Sequence, residues 1–143
     1  MPILAAMTET VHEDPESVFD APETVFDAVG GMSFFDALVD RFYARVELDA
    51  QLRALYPADL GPGRRALAMF LAQYWGGPPD YSAEKGHPRL RQRHGGFAID
   101  VAMRDAWYAA MAAVLQEAGI DAEIEATMLD YFDRSATWMI NRE

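Results

Sequence analysis

The chain contains no cysteine, so thiolate ligation is excluded and histidine or oxygen ligation is the expectation for a transition metal. Its three histidines are not equivalent. His12 lies in an acidic stretch and reads as a solvated residue. His87 precedes Pro88, which biases it towards an extended conformation at a helix entrance, where capping or a loop hydrogen bond is its ordinary role. His94 closes a basic segment, Gly86-His87-Pro88-Arg89-Leu90-Arg91-Gln92-Arg93-His94, and follows Leu90 by four residues. Both side chains then project from one side of a short helix, the leucine able to pack on a flat ring and the imidazole able to reach a metal. Lys85, Arg89, Arg91 and Arg93 gather a third of all the basic residues around this histidine in an otherwise acidic chain. The propionates of a haem need such cations at the pocket edge. The plainer alternatives are a solvated basic helix face for the arginines and, for His94, a cation favoured by a helix C-terminus. Imidazole and cations taken together point to haem.

A ligand held opposite His94 would need a second wall, for which Tyr43, Tyr56, Leu67 and Trp107 are the candidates. Two phenols and an indole on apolar helix faces are ordinary core when taken singly. As a set they are less ordinary, because each buried donor requires a polar partner. Dioxygen on ferrous haem would be one, since hydrogen bonds from phenol or indole stabilise its partial negative charge. Phe70, Tyr81, Lys85, His87, Leu90, Arg91, Arg93 and Phe97 complete the candidate set around the cofactor.

The elements that must position these residues are helical. Phe35, Leu38, Val39, Phe42, Tyr43 and Val46 recur at three-and-four spacing, predicting a helix over 33–47 that opens on a capping-box-like Ser33 and Asp36. A short turn over 49–56 stops at Pro57, and Pro62 can open the next helix. That helix buries Leu67, Phe70, Leu71, Tyr74 and Trp75 and ends at Gly76-Gly77-Pro78-Pro79, followed by a polar loop. A short basic helix is expected over 88–94. Two long helices follow, about 100–118 with Met103, Trp107, Ala110, Met111 and Val114 inward, and one capped by Asp121 with Ile124, Met128, Tyr131, Phe132, Ser135 and Met139 inward. With no convincing strand and no internal repeat, the expectation is an all-α chain.

At 143 residues, 51% of them hydrophobic, the chain suits one compact domain over 23–143. Residues 1–22 carry acidic side chains and no lysine or arginine, and read as a mobile extension, or as a short amphipathic arm through Val11, Val18 and Phe19. Twelve basic against twenty-three acidic residues give a net charge of −11, which disfavours nucleic acid and anionic membrane surfaces. The apolar run from Pro2 to Met7 is too short for a signal-peptide core, no later run could span a bilayer, and the expected location is the cytoplasm.

From Thr24 onward the residues resemble the truncated haemoglobins of group II, the O type. The resemblance rests on Phe26-Asp27-Ala28-Val29-Gly30-Gly31, Arg41-Phe42-Tyr43, Leu55-Tyr56-Pro57, Met69-Phe70-Leu71, Gln73-Tyr74-Trp75-Gly76-Gly77-Pro78, Gly86-His87-Pro88-Arg89-Leu90-Arg91, Arg93-His94 and Asp105-Ala106-Trp107, in the family's order. It implies a two-over-two helical fold around haem b. Within it His94 resembles the proximal iron ligand, Tyr43 and Tyr56 the two distal tyrosines, Trp107 the distal indole and Leu67 the apolar residue above the ring. Gly63, one turn before Leu67, resembles the gate position at which ordinary globins carry histidine, and leaves an opening without a donor. The loop between Pro57 and Leu67 is about one residue shorter than the family pattern, and either Arg64 or Arg65 is a candidate for a propionate.

The resulting expectation is a haem protein for dioxygen and other diatomic ligands. Several distal donors argue against simple oxygen transport and for redox chemistry on the ligand, as nitric oxide dioxygenation or peroxide handling with a reductase. A homodimer is a candidate assembly. A haem-free helical interaction module and a haem-based sensor acting through a partner are the alternatives.

Overall fold

The computed structural model describes residues 24–86 and 99–140. The acidic extension and the expected helix over 88–94 lie outside the described residues, and with them His12, His87, Arg89, Leu90, Arg91, Arg93, His94 and Phe97. The described elements are α1 (Val25–Val29), α2 (Met32–Leu48), α3 (Ala50–Arg53), α4 (Gly61–Tyr74), α5 (Asp80–Lys85), α6 (Val101–Glu117) and α7 (Ala122–Trp138). No strand occurs among them, and none of these helices is long and apolar enough to cross a membrane.

The long helices pair as the two-over-two fold requires, α2 with α4 and α6 with α7, and α2 also packs on α6 to join the layers. The core follows from the predicted stripe on α2: Phe35, Leu38, Val39, Phe42, Tyr43 and Val46 are all buried. Each such side chain removed from water contributes about 2 kcal/mol before entropy is counted. Leu71, Met111, Val114, Leu115, Met128 and Phe132 supply the facing surfaces.

Helix starts explain the small departures from expectation. Gly31 rather than Ser33 precedes α2, and the Ser33 hydroxyl donates back to the Gly30 carbonyl at 3.3 Å. The 3.6-residue stripe fixes which face is buried but leaves the first turn open, so a glycine turn could claim the start. The capping predicted for the last two helices is present: Asp100 accepts from Met103 N–H and Asp121 from the N–H groups of Glu123 and Ile124. The stretch after Pro79, expected as a polar loop, contains α5, which buries only Tyr81.

Gly76-Gly77 does more than end α4. The Phe26 N–H donates to the Trp75 carbonyl at 2.9 Å, docking α1 against this turn. A Cβ on Gly77 would stand 2.6 Å from Phe26 Cδ2 and 2.8 Å from the Ala72 carbonyl oxygen. Gly76 has φ 107°, in the left-handed region, with the Thr24 side chain 2.6 Å from where its Cβ would be. Gly77→Ala is therefore expected to cost about 2 kcal/mol through overpacking, read as a drop of several degrees in Tm. An unchanged melting curve would show that α1 does not dock on this glycine.

Candidate functional site

The site begins with two neighbouring residues of α2. Successive helical residues point about 100° apart, so Phe42 and Tyr43 face different partners. Phe42 meets Trp107 of α6, ring centroids 5.4 Å apart, and Tyr43 meets Tyr56, centroids 5.6 Å apart, both edge to face. Trp107 in turn touches Phe132 of α7 at 6.0 Å. Phe42 thus lies between Tyr43 and Trp107, and Tyr43 brings Tyr56 into the same group.

Their protonation follows from burial. Loss of water pushes the Tyr43 phenol above its ordinary 10.0, and the nearby Arg64 guanidinium opposes this only partly. Tyr56 is raised further by burial and by Tyr43, with a smaller opposing hydrogen bond from Trp107. Both phenols remain hydroxyl donors at neutral pH. The Trp107 indole, a donor only, is close enough to the Tyr56 phenol to oppose that rise, so donors of both kinds face one region.

Gly63 stands beside this group. It is itself exposed, yet a Cβ on it would lie 3.1 Å from the buried Tyr43 oxygen. The phenol therefore sits one atomic layer beneath the surface, under a position that carries no side chain. Leu67, one helical turn on, packs against the core while remaining partly open, as do Met103, Ala106 and Trp107. Protonated donors under a bare backbone window, bordered by incompletely covered apolar residues, fit a flat apolar cofactor that presents a small polar ligand.

The other expected site residues fall into three groups. Phe70 and Tyr81 are buried and meet edge to face at 5.3 Å, while Lys85 stands at the exposed end of α5. Arg64 and Arg65 both have partners within the chain: Arg65 donates twice to Glu84, at 3.0 and 2.8 Å, and Arg64 lies 3.5 Å from Asp40 and 5.6 Å from the Tyr43 ring centroid. His87, Leu90, Arg91, Arg93, His94 and Phe97 are outside the described residues. Sequence reasoning missed Phe42 as the spacer between the donors, although its place beside Tyr43 on the apolar stripe was the available signal.

The sequence profile of the bacterial-like globin family matches residues 24–141. The chain belongs to that family, as a group II truncated haemoglobin. It is 38% identical over 112 residues to the group 2 truncated haemoglobin YjbI of Bacillus subtilis, covering 78% of this chain and 85% of that one. A haemoglobin of Chloroflexus aurantiacus superposes with a TM-score of 0.83 at 48% identity, covering 85% of this chain and all of that one. The group II truncated haemoglobin of Bacillus anthracis gives 0.81 at 36% identity, covering 85% and 98%. As a globin the chain takes haem b, with its iron, and binds diatomic ligands including dioxygen. The haem-free interaction module is thereby set aside.

Behind the site, Tyr131 stacks on Tyr74 at 4.2 Å. Burial pushes the Tyr131 phenol up to about 12, against a weaker downward pull from the neighbouring Ser135 hydroxyl. The folded truncated haemoglobin holds this proton more tightly than the unfolded chain does. The resulting stability is complete below pH 10 and disappears as pH rises from there to about 12, by roughly 2 to 3 kcal/mol. Urea unfolding across this range should therefore show stability falling with pH, and falling less steeply in Tyr131→Phe. Equal slopes in the two proteins would contradict the assignment.

Proposed function

We propose that this truncated haemoglobin retains dioxygen and performs redox chemistry on it, with nitric oxide dioxygenation as the leading reaction and peroxide handling as the second. The observation that carries the reading is the grouping of Tyr43, Tyr56 and Trp107, with the Tyr43 hydroxyl beneath Gly63. When bound, haem supplies an iron that takes diatomic ligands and exchanges single electrons. His94 is the residue proposed to hold that iron. Leu67, Phe70, Tyr81, His87, Leu90, Phe97 and Trp107 are proposed to surround the ring, and Lys85, Arg91 and Arg93 to pair with its carboxylates.

Tyr43 and Tyr56 contribute hydroxyl protons that burial keeps in place, and Trp107 contributes a single indole N–H beside them. Each hydrogen bond made in an apolar site favours retention by on the order of 1 to 2 kcal/mol. Two or three such bonds suit a protein that holds its ligand for a second reactant better than one that delivers it. Combining nitric oxide with dioxygen to give nitrate consumes one electron per turnover, so the reaction calls for a reductase. The cytoplasm, as a reducing compartment, suits that requirement and a chain without cysteines.

Two measurements test this reading. In stopped-flow release of dioxygen, Tyr43→Phe, Tyr56→Phe and Trp107→Phe should each accelerate departure by roughly 5- to 30-fold. Release as fast in the parent protein as in a storage globin would argue against retention, as would variants that leave it unchanged. Nitrate should form in near-stoichiometric yield when the dioxygen complex meets nitric oxide, and its absence would eliminate the dioxygenase assignment. The axial assignment has its own check: His94→Ala should abolish the Soret band of the purified protein, and His87→Ala should keep it.

A further inference from the structure

Tyr56 lies beyond the four-residue α3 and immediately before Pro57, so helical hydrogen bonding does little to fix it. One side chain fixes it instead. Arg53 Nη1 donates to the carbonyl oxygens of Tyr56, at 3.3 Å, and Pro57, at 3.0 Å, while Nη2 donates to that of Ala58 at 3.0 Å. The Arg53 carbonyl meanwhile accepts the Tyr56 N–H at 3.1 Å. A single residue therefore grips the Tyr56 backbone at both its N–H and its carbonyl.

The grip is itself anchored. Asp49 caps α3, accepting from the N–H groups of Gln51 at 2.9 Å and Leu52 at 3.1 Å, and Leu52 is 1% exposed in the core. Three consecutive carbonyls that converge on one point need a rigid fork with several N–H groups, which guanidinium provides and ammonium does not. At its far end the Tyr56 ring packs edge to face on Tyr43, centroids 5.6 Å apart, so Tyr56 is secured at the backbone by Arg53 and at the ring by Tyr43.

We infer that Arg53 is a positioning residue for ligand retention: it sets where the Tyr56 hydroxyl lies, and so how well that hydroxyl donates. The inference rests on the proposed role of Tyr56 as a ligand donor. Hydrogen bonds weaken steeply once distance and angle leave their optimum, so a small displacement of this backbone is enough to alter donation.

The test is a double-mutant cycle on the haem-loaded protein, using Arg53→Lys, Tyr56→Phe and the two combined. Two readouts are taken, the dioxygen release rate and the C–O stretching frequency of the carbon monoxide complex, which reports hydrogen bonding to the ligand. Arg53→Lys is expected to speed release by about 3- to 10-fold and to shift or broaden the C–O band. In the Tyr56→Phe background the same change is expected to do nearly nothing. An equal effect in both backgrounds would mean that Arg53 acts through general stability, and would overturn the inference. A silent Arg53→Lys beside a responsive Tyr56→Phe would overturn it while leaving Tyr56 as a donor. A silent Tyr56→Phe would remove the donor role on which the inference stands. Should Arg53→Lys not fold, Arg53→Gln, which retains two N–H groups, carries the same cycle.

Discussion

Helix α2 has to be buried on two sides at once, and most of the molecule follows from that requirement. It lies against α4 in one layer and α6 in the other, so its buried stripe must satisfy two surfaces with one row of side chains. Phe42 and Tyr43 occupy adjacent positions on that row and divide the task. Phe42, fully buried, ties the layers together through Trp107. Tyr43 carries the only polar atom on the buried face of α2, and that atom comes to rest where α4 offers a glycine. Functional geometry is in this sense a by-product of packing, because the contact that joins the layers also brings the indole to the phenols.

Polar aromatics occur twice in this core, and the difference between the two groups shows what makes one of them a site. Tyr74, Trp75 and Tyr131 are buried together, with ring centroids 4.2 to 5.5 Å apart. The Tyr74 hydroxyl and the Trp75 indole nitrogen have no hydrogen-bond partner among the described residues. Among the described residues both atoms are closed off by packed rings, and their donors are a cost carried by aromatic stacking. Tyr43, Tyr56 and Trp107 use the same chemistry beside an exposed glycine and partly open apolar residues. Access to the donors, rather than their residue type, separates ligand chemistry from structural burial.

Helical periodicity makes much of this legible in the sequence. The stripe on α2, the caps at Asp100 and Asp121 and the inner face of α7 all follow from local spacing, and the structure contains them. Features that depend on distant partners were hidden. Gly76-Gly77 was readable as a helix stop, but its close fit to Thr24 and Phe26 depends on how α1 folds back. Ser33 looked like a cap because its spacing to Asp36 is local, whereas the choice of Gly31 reflects the turn leading in from α1. Arg65 is a candidate for a propionate by sequence, and its pairing with Glu84, nineteen positions away, is a contact that local spacing does not show. Tyr56 and Trp107 can be named from resemblance, but their approach to one another arises only once α6 lies across α2.

The segment from Asp49 to Ala58 illustrates how little regular structure a ligand donor needs when side chains replace it. Only four of its residues are helical, and a proline interrupts the backbone just after Tyr56. Its order comes from three anchors of different kinds: an aspartate cap, a leucine in the core and an arginine fork over three carbonyls. A longer helix would have bound the same carbonyls internally, but it would have fixed the direction of Tyr56 by helical geometry alone. The irregular turn lets the phenol leave the chain towards Tyr43 and Trp107, and the arginine makes that irregularity rigid enough to serve as a site.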